Sequence, residues 1–372
     1  PIAMPQPALV AGLAAAIAAE PDGVIVAGAM PARFAAARAA VLELARRAGY
    51  PIIAEAGSQL RLGPVPDGAV IVHHVDLIPP GELPAPGLVI QLGAEPVAAA
   101  WPGWLAKLTA SGAARWVLAG HTWNDADASA HGVILGDVAA TVAAVRDAVP
   151  NLDRPPPSGW RTLDASAGRA LDAALAAHPD NEASVLRAAL AALPGNAVIQ
   201  VGNSLPIRVL DQIAASATPH PVLTQRGAAG IDGLIASAAG ATWSGRQPVL
   251  LVLGDVSFAH DLGGLLAARA SRAPFAVLVI DNGGGQIFGG LPIARAELGD
   301  RFAEHWLTPP AVDPVAVARA LGLDGVRAET PDAVAEAIRA ALQRQVPAII
   351  HAPVRASGAR DVRRTALERF GG

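Results

Sequence analysis

Two short segments of this chain carry side chains suited to one piece of chemistry. Gly254-Asp255-Val256-Ser257 follows the apolar run VLLVL, and Asn282-Gly283-Gly284-Gly285-Gln286 follows FAVLVI and one aspartate. An Asp side chain, an Asn side-chain oxygen and a free backbone carbonyl are hard oxygen donors. Mg²⁺ takes such a set together with phosphate oxygens and water to complete an octahedron. Glycines let a diphosphate approach the backbone, and amide groups at the start of a following helix favour its negative charge. The residue types therefore predict a Mg²⁺-diphosphate site, provided that the fold delivers both segments to one place.

The surrounding pattern meets that condition. Residues 248–253 and 274–280 read as buried strands with a helix over 259–270 between them, the βαβ pattern of a parallel sheet. Ligands of open α/β sheets bind outside the carboxyl ends of the strands, so Asp255 and Asn282 are expected as neighbours around one crevice. Asn203, Ser204 and Arg208 stand where an earlier strand, 196–203, meets a helix over 206–215. Gln225-Arg226-Gly227 closes the next strand, 221–227. Arginine suits bidentate carboxylate recognition, and both arginines fall beside strand ends of the same half-sheet. Each residue alone has a plainer reading. Asp255, Asn203 and Ser204 are common helix caps, the arginines are commonly solvated, and Ile231, Ile287, Phe288 and Leu291 are ordinary core types.

Taken together, GDVSFAHD and DNGGGQIF, with Asp255 and Asn282 27 positions apart, resemble the signature of thiamine diphosphate enzymes. NGGGQIFGGLP, with VGNSLPIR (201–208) and TQRGAAGIDG (224–233), is similar to the 2-succinyl-5-enolpyruvyl-6-hydroxy-3-cyclohexene-1-carboxylate synthases of menaquinone biosynthesis. The likeness extends more weakly over nearly the whole chain. The resemblance implies an α/β protein of two Rossmann-like parallel-sheet domains, a central domain over 1–150 and a diphosphate-binding domain over 151–372. It implies thiamine diphosphate with Mg²⁺ or Mn²⁺, held through Asp255, Asn282 and Gly284. Asn203, Ile231, Gly254, Val256, Ser257 and Gln286 are implied as further cofactor contacts, with Ile231 propping the cofactor into its bent form. Ser204, Arg208, Arg226, Ile287, Phe288 and Leu291 are implied to face the substrates. These would be 2-oxoglutarate, which loses carbon dioxide, and isochorismate, which accepts the remaining carbon unit.

Two departures from the family pattern carry expectations of their own. Its members begin with another α/β domain, which binds the aminopyrimidine and supplies the activating glutamate. No residue here matches that glutamate, so no catalytic residue is assigned in this chain. The expectation is a fragment or split subunit, inactive alone and completed by a pyrimidine-domain chain or within a homodimer or homotetramer. Around 92–104 the family often has a Lys-Arg pair facing the site, where this sequence has Ala99 and Ala100. That leaves another thiamine diphosphate-dependent 2-oxoacid decarboxylase or carboligase as the alternative, and a non-catalytic cofactor-binding module as a reading of a different class.

Bulk properties exclude several chemistries. The chain has 372 residues, enough for two or three domains, and a mean hydropathy of +0.38 that suits a folded protein. It has no cysteine, which removes disulfides, thiolate nucleophiles and Cys-ligated metals. A formal net charge of −4 gives no reason to expect nucleic acid. The single lysine, Lys107, sits in no phosphate-loop motif. The apolar run 7–19 lacks a basic flank and is too short to span a bilayer, so it reads as a capped helix of a cytoplasmic protein without membrane insertion. The histidines, including His73-His74, show no metal-ligand spacing, and His260 reads as structural.

The remaining chain alternates strands and helices. Strands are expected at 23–30, 51–57, 87–94, 115–120, 132–137 and 348–354, and helices at 32–48, 160–177, 181–193, 232–241, 314–321 and 331–343. Gly28 after the first strand hints at a dinucleotide turn, but GAMPAR is not GxGxxG and no ribose-binding acid follows at the expected distance. A scaffold role is expected for this half instead. PNLDRPPPSG (150–159) reads as an extended, semi-rigid connection and the domain boundary. The arginine-rich tail 358–370 reads as a surface helix or partner contact.

Overall fold

The computed structural model describes residues 3–152, 154–155, 157–227, 230–296 and 298–371, the side chain of Ser244 excepted. Ala228 and Ala229 of the TQRGAAGIDG segment, and Asp153 and Pro156 of the Pro-rich connection, lie outside the described residues. The chain divides into two units: Pro1–Ala170 with Ala214–Pro219 and Phe370–Gly372, and Leu171–Ile213 with His220–Arg369. The division at 170/171 falls within the helix Ser158–Ala177.

The first unit is built on six parallel strands, β1 (Gly23–Ala27), β2 (Ile52–Ala54), β3 (Ile71–Val72), β4 (Leu88–Leu92), β5 (Ala114–Ala119) and β6 (Gly132–Leu135), in the order β3-β2-β1-β4-β5-β6. β1 and β4 are buried along their whole length, the reading of near-continuous Val, Ile and Leu when both sheet faces are covered. The helices Pro7–Ala19, Arg38–Ala48 and Val138–Ala148 bury Leu13, Ile17, Val41, Leu44, Val142 and Val145 in one core with Ile25, Ile52 and Ile90. Residues 7–19 form a helix as the apolar run predicts, but Gln6 at its start makes no side-chain cap. The stretch 32–48 opens with a 3-10 turn, Ala32–Ala37, before the α-helix. Arg154 in the Pro-rich connection is not free. Its guanidinium donates to the carbonyls of Ile17 (2.9 Å) and Glu20 (2.7 Å).

The second unit repeats the architecture with β7 (Val198–Val201), β8 (Val222–Thr224), β9 (Val249–Gly254), β10 (Phe275–Asp281), β11 (Asp324–Arg327) and β12 (Ala348–Pro353), ordered β11-β12-β10-β9-β7-β8 and all parallel. β9 and β10 are the central strands, and Leu251, Leu253, Val277 and Val279 pack with Ile235, Phe258, Leu265 and Ile349 into its core. The expected helix over 259–270 is instead two short ones, Asp255–His260 and Gly264–Ala268. Asp261 between them accepts the amide of Ile235 at 2.5 Å, and Gly264 sits so close to Ala236 that a side chain would strike its backbone at 2.9 Å. The break lets helix Leu234–Ser244 lie hard against the strand-tip segment. β3 and β11 have too few apolar residues to stand out in the sequence, and both are edge strands. The tail forms the helix Gly358–Glu368, with Val362 and Ala366 buried.

Candidate cofactor and metal site

β9 and β10 run side by side in a register that sets Gly254 opposite Ile280, so Asp255 and Asp281-Asn282 emerge together at the carboxyl edge. Asp255 opens a helix, is 5% exposed, and its Oδ2 accepts the amide of Gly284 at 2.7 Å. The chain can make that contact because Gly283 and Gly284 have φ of 76° and 113°, the left-handed region. A Cβ on Gly284 would also meet the Leu307 carbonyl at 2.3 Å. The glycine run therefore serves to fold the 282–285 turn back onto Asp255.

Asn282 is buried, and its Nδ2 donates to Glu182 Oε1 at 2.9 Å. Asp281 Oδ2 pairs with His351 Nε2 at 2.8 Å, and its Oδ1 accepts the Gly283 amide at 3.1 Å. Burial, with the Asp281 carboxylate next door, pushes the Asp255 carboxyl up to about 6. The hydrogen bond from His351 holds Asp281 below its ordinary value despite partial burial. Burial likewise raises Glu182, opposed by its bond from Asn282. Two adjacent carboxylates, one of them disfavoured as an anion, are what a divalent cation would relieve. The oxygen types present at the strand tips fit a hard cation.

One strand further along, Asn203 and Ser204 follow β7, which pairs with β9. Asn203 is buried, donates to the Gly230 carbonyl at 2.7 Å and accepts from Arg226 Nη1 at 3.2 Å. Ser204 has φ 71°, and its carbonyl accepts from Arg208 Nη1 at 2.9 Å. Asn203, Arg226 and Gly230, the residue before half-buried Ile231, thus form one cluster at the tips of β7 and β8. Ser257 is buried and Val256 half-buried on the first turn after Asp255.

The segment after the glycine run is a 3-10 turn, Gln286–Gly290. Gln286 is buried, and both its backbone carbonyl (3.0 Å) and Oε1 (3.2 Å) accept from Arg360 Nη1. Phe288 meets Trp306 edge to face at 5.5 Å between centroids. Ile287 is half-buried and Leu291 is 43% exposed, so neither belongs to the core as its residue type alone suggests. His260 is exposed.

Glu182, Asp281, His351 and Arg360 enter the site without having been singled out in the sequence. Glu182 follows the N-cap Asn181 and reads there as an ordinary first-turn acid. Only Asp281 had a usable signal, its place between a buried strand and Asn282. Nothing in the spacing of His351 or Arg360 points to β10 or to Gln286.

The first unit carries its own polar strand tips, but they are spent internally. Glu55 accepts the amides of Val97 and Ala98, and Asp76 those of Ala99 and Ala100. Ala99 is exposed and Ala100 half-buried.

Comparison with known proteins bears on the second unit first. Residues 208–352 match the family described as thiamine pyrophosphate enzyme, C-terminal TPP binding domain. The 2-succinyl-5-enolpyruvyl-6-hydroxy-3-cyclohexene-1-carboxylate synthase of Sorangium cellulosum is 38% identical over 92% of this chain and 58% of its own length. Those of Myxococcus xanthus and Roseiflexus castenholzii are 35% and 32% identical over 88% and 98% of the chain, covering 56% and 62% of their own lengths. The chain thus spans somewhat over half the length of these curated relatives. Among solved structures, an enzyme from Mycobacterium smegmatis described as thiamin diphosphate-dependent superposes with a TM-score of 0.69 at 18% identity, over 95% of this chain and 65% of that one. Benzoylformate decarboxylase from Polynucleobacter necessarius gives 0.68 at 17%, with the same coverage. At these identities the two structures establish the fold.

Proposed function

We propose, from the match of residues 208–352 to the thiamine pyrophosphate enzyme C-terminal TPP binding domain, that the second unit holds the diphosphate and divalent cation of thiamine diphosphate in a decarboxylating carboligase. The donor in this reading is 2-oxoglutarate and the acceptor isochorismate, the substrates implied by the resemblance to the synthases. The observation that carries it is the contact of Gly284 with Asp255, which folds the glycine turn onto the one carboxylate at the tip of β9.

Asp255, the Asn282 side-chain oxygen and the Gly284 carbonyl would hold Mg²⁺ or Mn²⁺, with Gly254, Val256, Ser257, Asn203, Gln286 and Ile231 as further contacts of the cofactor. When bound, thiamine diphosphate supplies the electron sink for loss of carbon dioxide. This chain's residues do the rest by placement. Arg226 and Arg208, each anchored through Asn203 or Ser204, offer cationic groups to substrate carboxylates and hold them in register. Ile287, Phe288 and Leu291 would give the substrates an apolar wall, and Arg360 keeps the turn that bears them in one shape.

This assignment takes 1–150 as a central domain and 151–372 as the diphosphate-binding domain. It requires that the aminopyrimidine and its activating carboxylate be met by residues outside these two units, in a cytoplasmic homodimer or homotetramer or on a separate chain. A related decarboxylase or carboligase remains the second reading, favoured by Ala99 and Ala100, whose amides are held by Asp76 and whose side chains carry no charge. Titration of the 372-residue chain with thiamine diphosphate and Mg²⁺, followed by turnover with a supplied pyrimidine domain, tests the proposal. Isochorismate is expected to be consumed in preference to other acceptors, with no turnover by the chain alone. Cofactor binding without rescue of turnover would turn the reading toward a non-catalytic module.

A further inference from the structure

Glu182 is out of place for a first-turn helix acid. Such residues ordinarily stand in solvent and gain a little from the helix dipole, yet Glu182 is 2% exposed at the start of the helix Glu182–Ala191. Its neighbour Asn181 is fully buried and already caps the helix by accepting from Ser184 at 2.9 Å, so capping needs nothing from Glu182. Gly358, at the head of the last helix, closes over it, and a Cβ there would come within 2.9 Å of Glu182 Oε2. The carboxyl group also feels the Ala359 amide and the Arg360 charge on that helix, and its Oε1 accepts from Asn282 Nδ2, 100 positions away in the chain, at 2.9 Å.

An asparagine amide presents an acceptor on one side and a donor on the other. With Glu182 Oε1 accepting from Nδ2, the donor side of Asn282 is committed inward and the carbonyl oxygen is the group that faces away from Glu182. We propose that Glu182 is a positioning residue: it fixes the orientation of the Asn282 side chain so that its oxygen is the face offered to a divalent cation at the tips of β9 and β10. The inference rests on the reading of Asp255 and Asn282 as a cation site. It assigns Glu182 no contact with substrate, cofactor or metal.

The test uses the whole chain, Mn²⁺ as the probe in the presence of thiamine diphosphate, and electron paramagnetic resonance to count free metal. Removal of an outer hydrogen-bond partner of a metal ligand typically costs about 10–100-fold in affinity. Glu182→Leu should therefore weaken Mn²⁺ binding by about 10–100-fold, whereas Glu182→Gln, which keeps an acceptor oxygen, should stay within about threefold of the parent. In an Asn282→Ala background Glu182→Leu should cost no further affinity, because its effect runs only through that amide. Equal binding by Glu182→Leu and the parent, with Asp255→Ala abolishing it, would overturn the positioning role and leave the cation site standing. No saturable Mn²⁺ binding by the parent would overturn both. Should Glu182→Leu fail to fold, the metal-free chain labelled with ¹⁵N-asparagine decides. The Asn282 side-chain amide protons should exchange slowly in the parent and in Glu182→Gln, and fast exchange in the parent would refute the hydrogen bond.

Discussion

The two sheets of this chain share a parallel six-stranded plan and differ in what happens at their carboxyl ends. The first has the strand order associated with dinucleotide binding, in which a crevice is expected where the order reverses, between β1 and β4. There the chain has filled its own crevice. Gly28 donates to the Leu92 carbonyl at 3.1 Å, and a Cβ on Gly28 would lie 2.0 Å from the Ala94 carbonyl. Gly93 presses against Met30, and Asn124 Nδ2 caps the Gly93 carbonyl at 2.8 Å. In the second sheet Gly254, at the tip of β9, does the opposite. A Cβ on Gly254 would find only the Ile280 carbonyl, at 4.0 Å. Topology brings strand tips together in both sheets, and the tip residues decide whether the chain itself packs tightly there.

The largest effect expected from this contrast is on stability in the first sheet and on binding in the second. Arg115 and Asp125 form a buried ion pair, 2% and 5% exposed in their side chains, with Gln91 and Ser129 as further partners. Asp125→Ala should destabilise the first unit by about 3–5 kcal/mol, since it leaves a buried cation unpaired. Its affinity for thiamine diphosphate and Mg²⁺ should remain that of the parent in calorimetric titration. Asp255→Ala should reverse the pattern, losing binding by more than about 100-fold while costing less stability than Asp125→Ala, because loss of a disfavoured buried carboxyl offsets the Gly284 amide it leaves unpaired. If both substitutions changed binding alike, the division into scaffold and site would fail.

A pH experiment sharpens the same point. Without cation, the folded-state value of Asp255 is raised from 3.8 to about 6. For an acid shifted upward, the stability contributed is fully present below pH 4 and lost as pH rises through 6. The span is about 2–3 kcal/mol by linkage. Asp281, held low by His351, contributes in the opposite sense. Asp255→Asn is therefore needed to isolate the first share. Urea unfolding between pH 4 and 7 should show the parent losing stability relative to Asp255→Asn, and saturating Mg²⁺ with thiamine diphosphate should abolish that loss. Cofactor affinity should fall correspondingly below pH 6, where a proton competes for the carboxylate.

How far these features could be read in advance depended on how local they were. β9 and β10, long and apolar, were legible from their runs and flanks, and the Gly-Asp and Asn-Gly-Gly tips followed from strand-end logic. Asn203 with Arg226 was legible only as two separate strand ends; their mutual bond depends on which strands neighbour each other, which spacing does not encode. The break at Asp261-Leu262-Gly263 escaped because it is set by the amide of Ile235, 26 positions earlier. Glu182, His351 and Arg360 escaped for the same reason: each acts on a residue distant in sequence. In the first unit, Gly28 was visible as a turn glycine, but the fact that Ala94 fills its crevice was not.

The smallest expected effects come from two glycine-to-alanine changes, one at each sheet. Gly28→Ala must push the Ala94 carbonyl aside, a backbone shift typical of overpacking that costs about 1–3 kcal/mol. Gly254→Ala has space for its methyl group and an extended φ of −84°, so its unfolding midpoint should match the parent. The methyl would nevertheless occupy the surface at which a diphosphate approaches the backbone beside Asp255, and affinity for thiamine diphosphate should drop by about tenfold, or about 1.4 kcal/mol. Isothermal titration and chemical denaturation on both variants therefore form a crossed pair, with stability lost at Gly28 and binding lost at Gly254. Unchanged binding by a well-folded Gly254→Ala would mean that the diphosphate does not lie against the tip of β9, whatever Asp255 does.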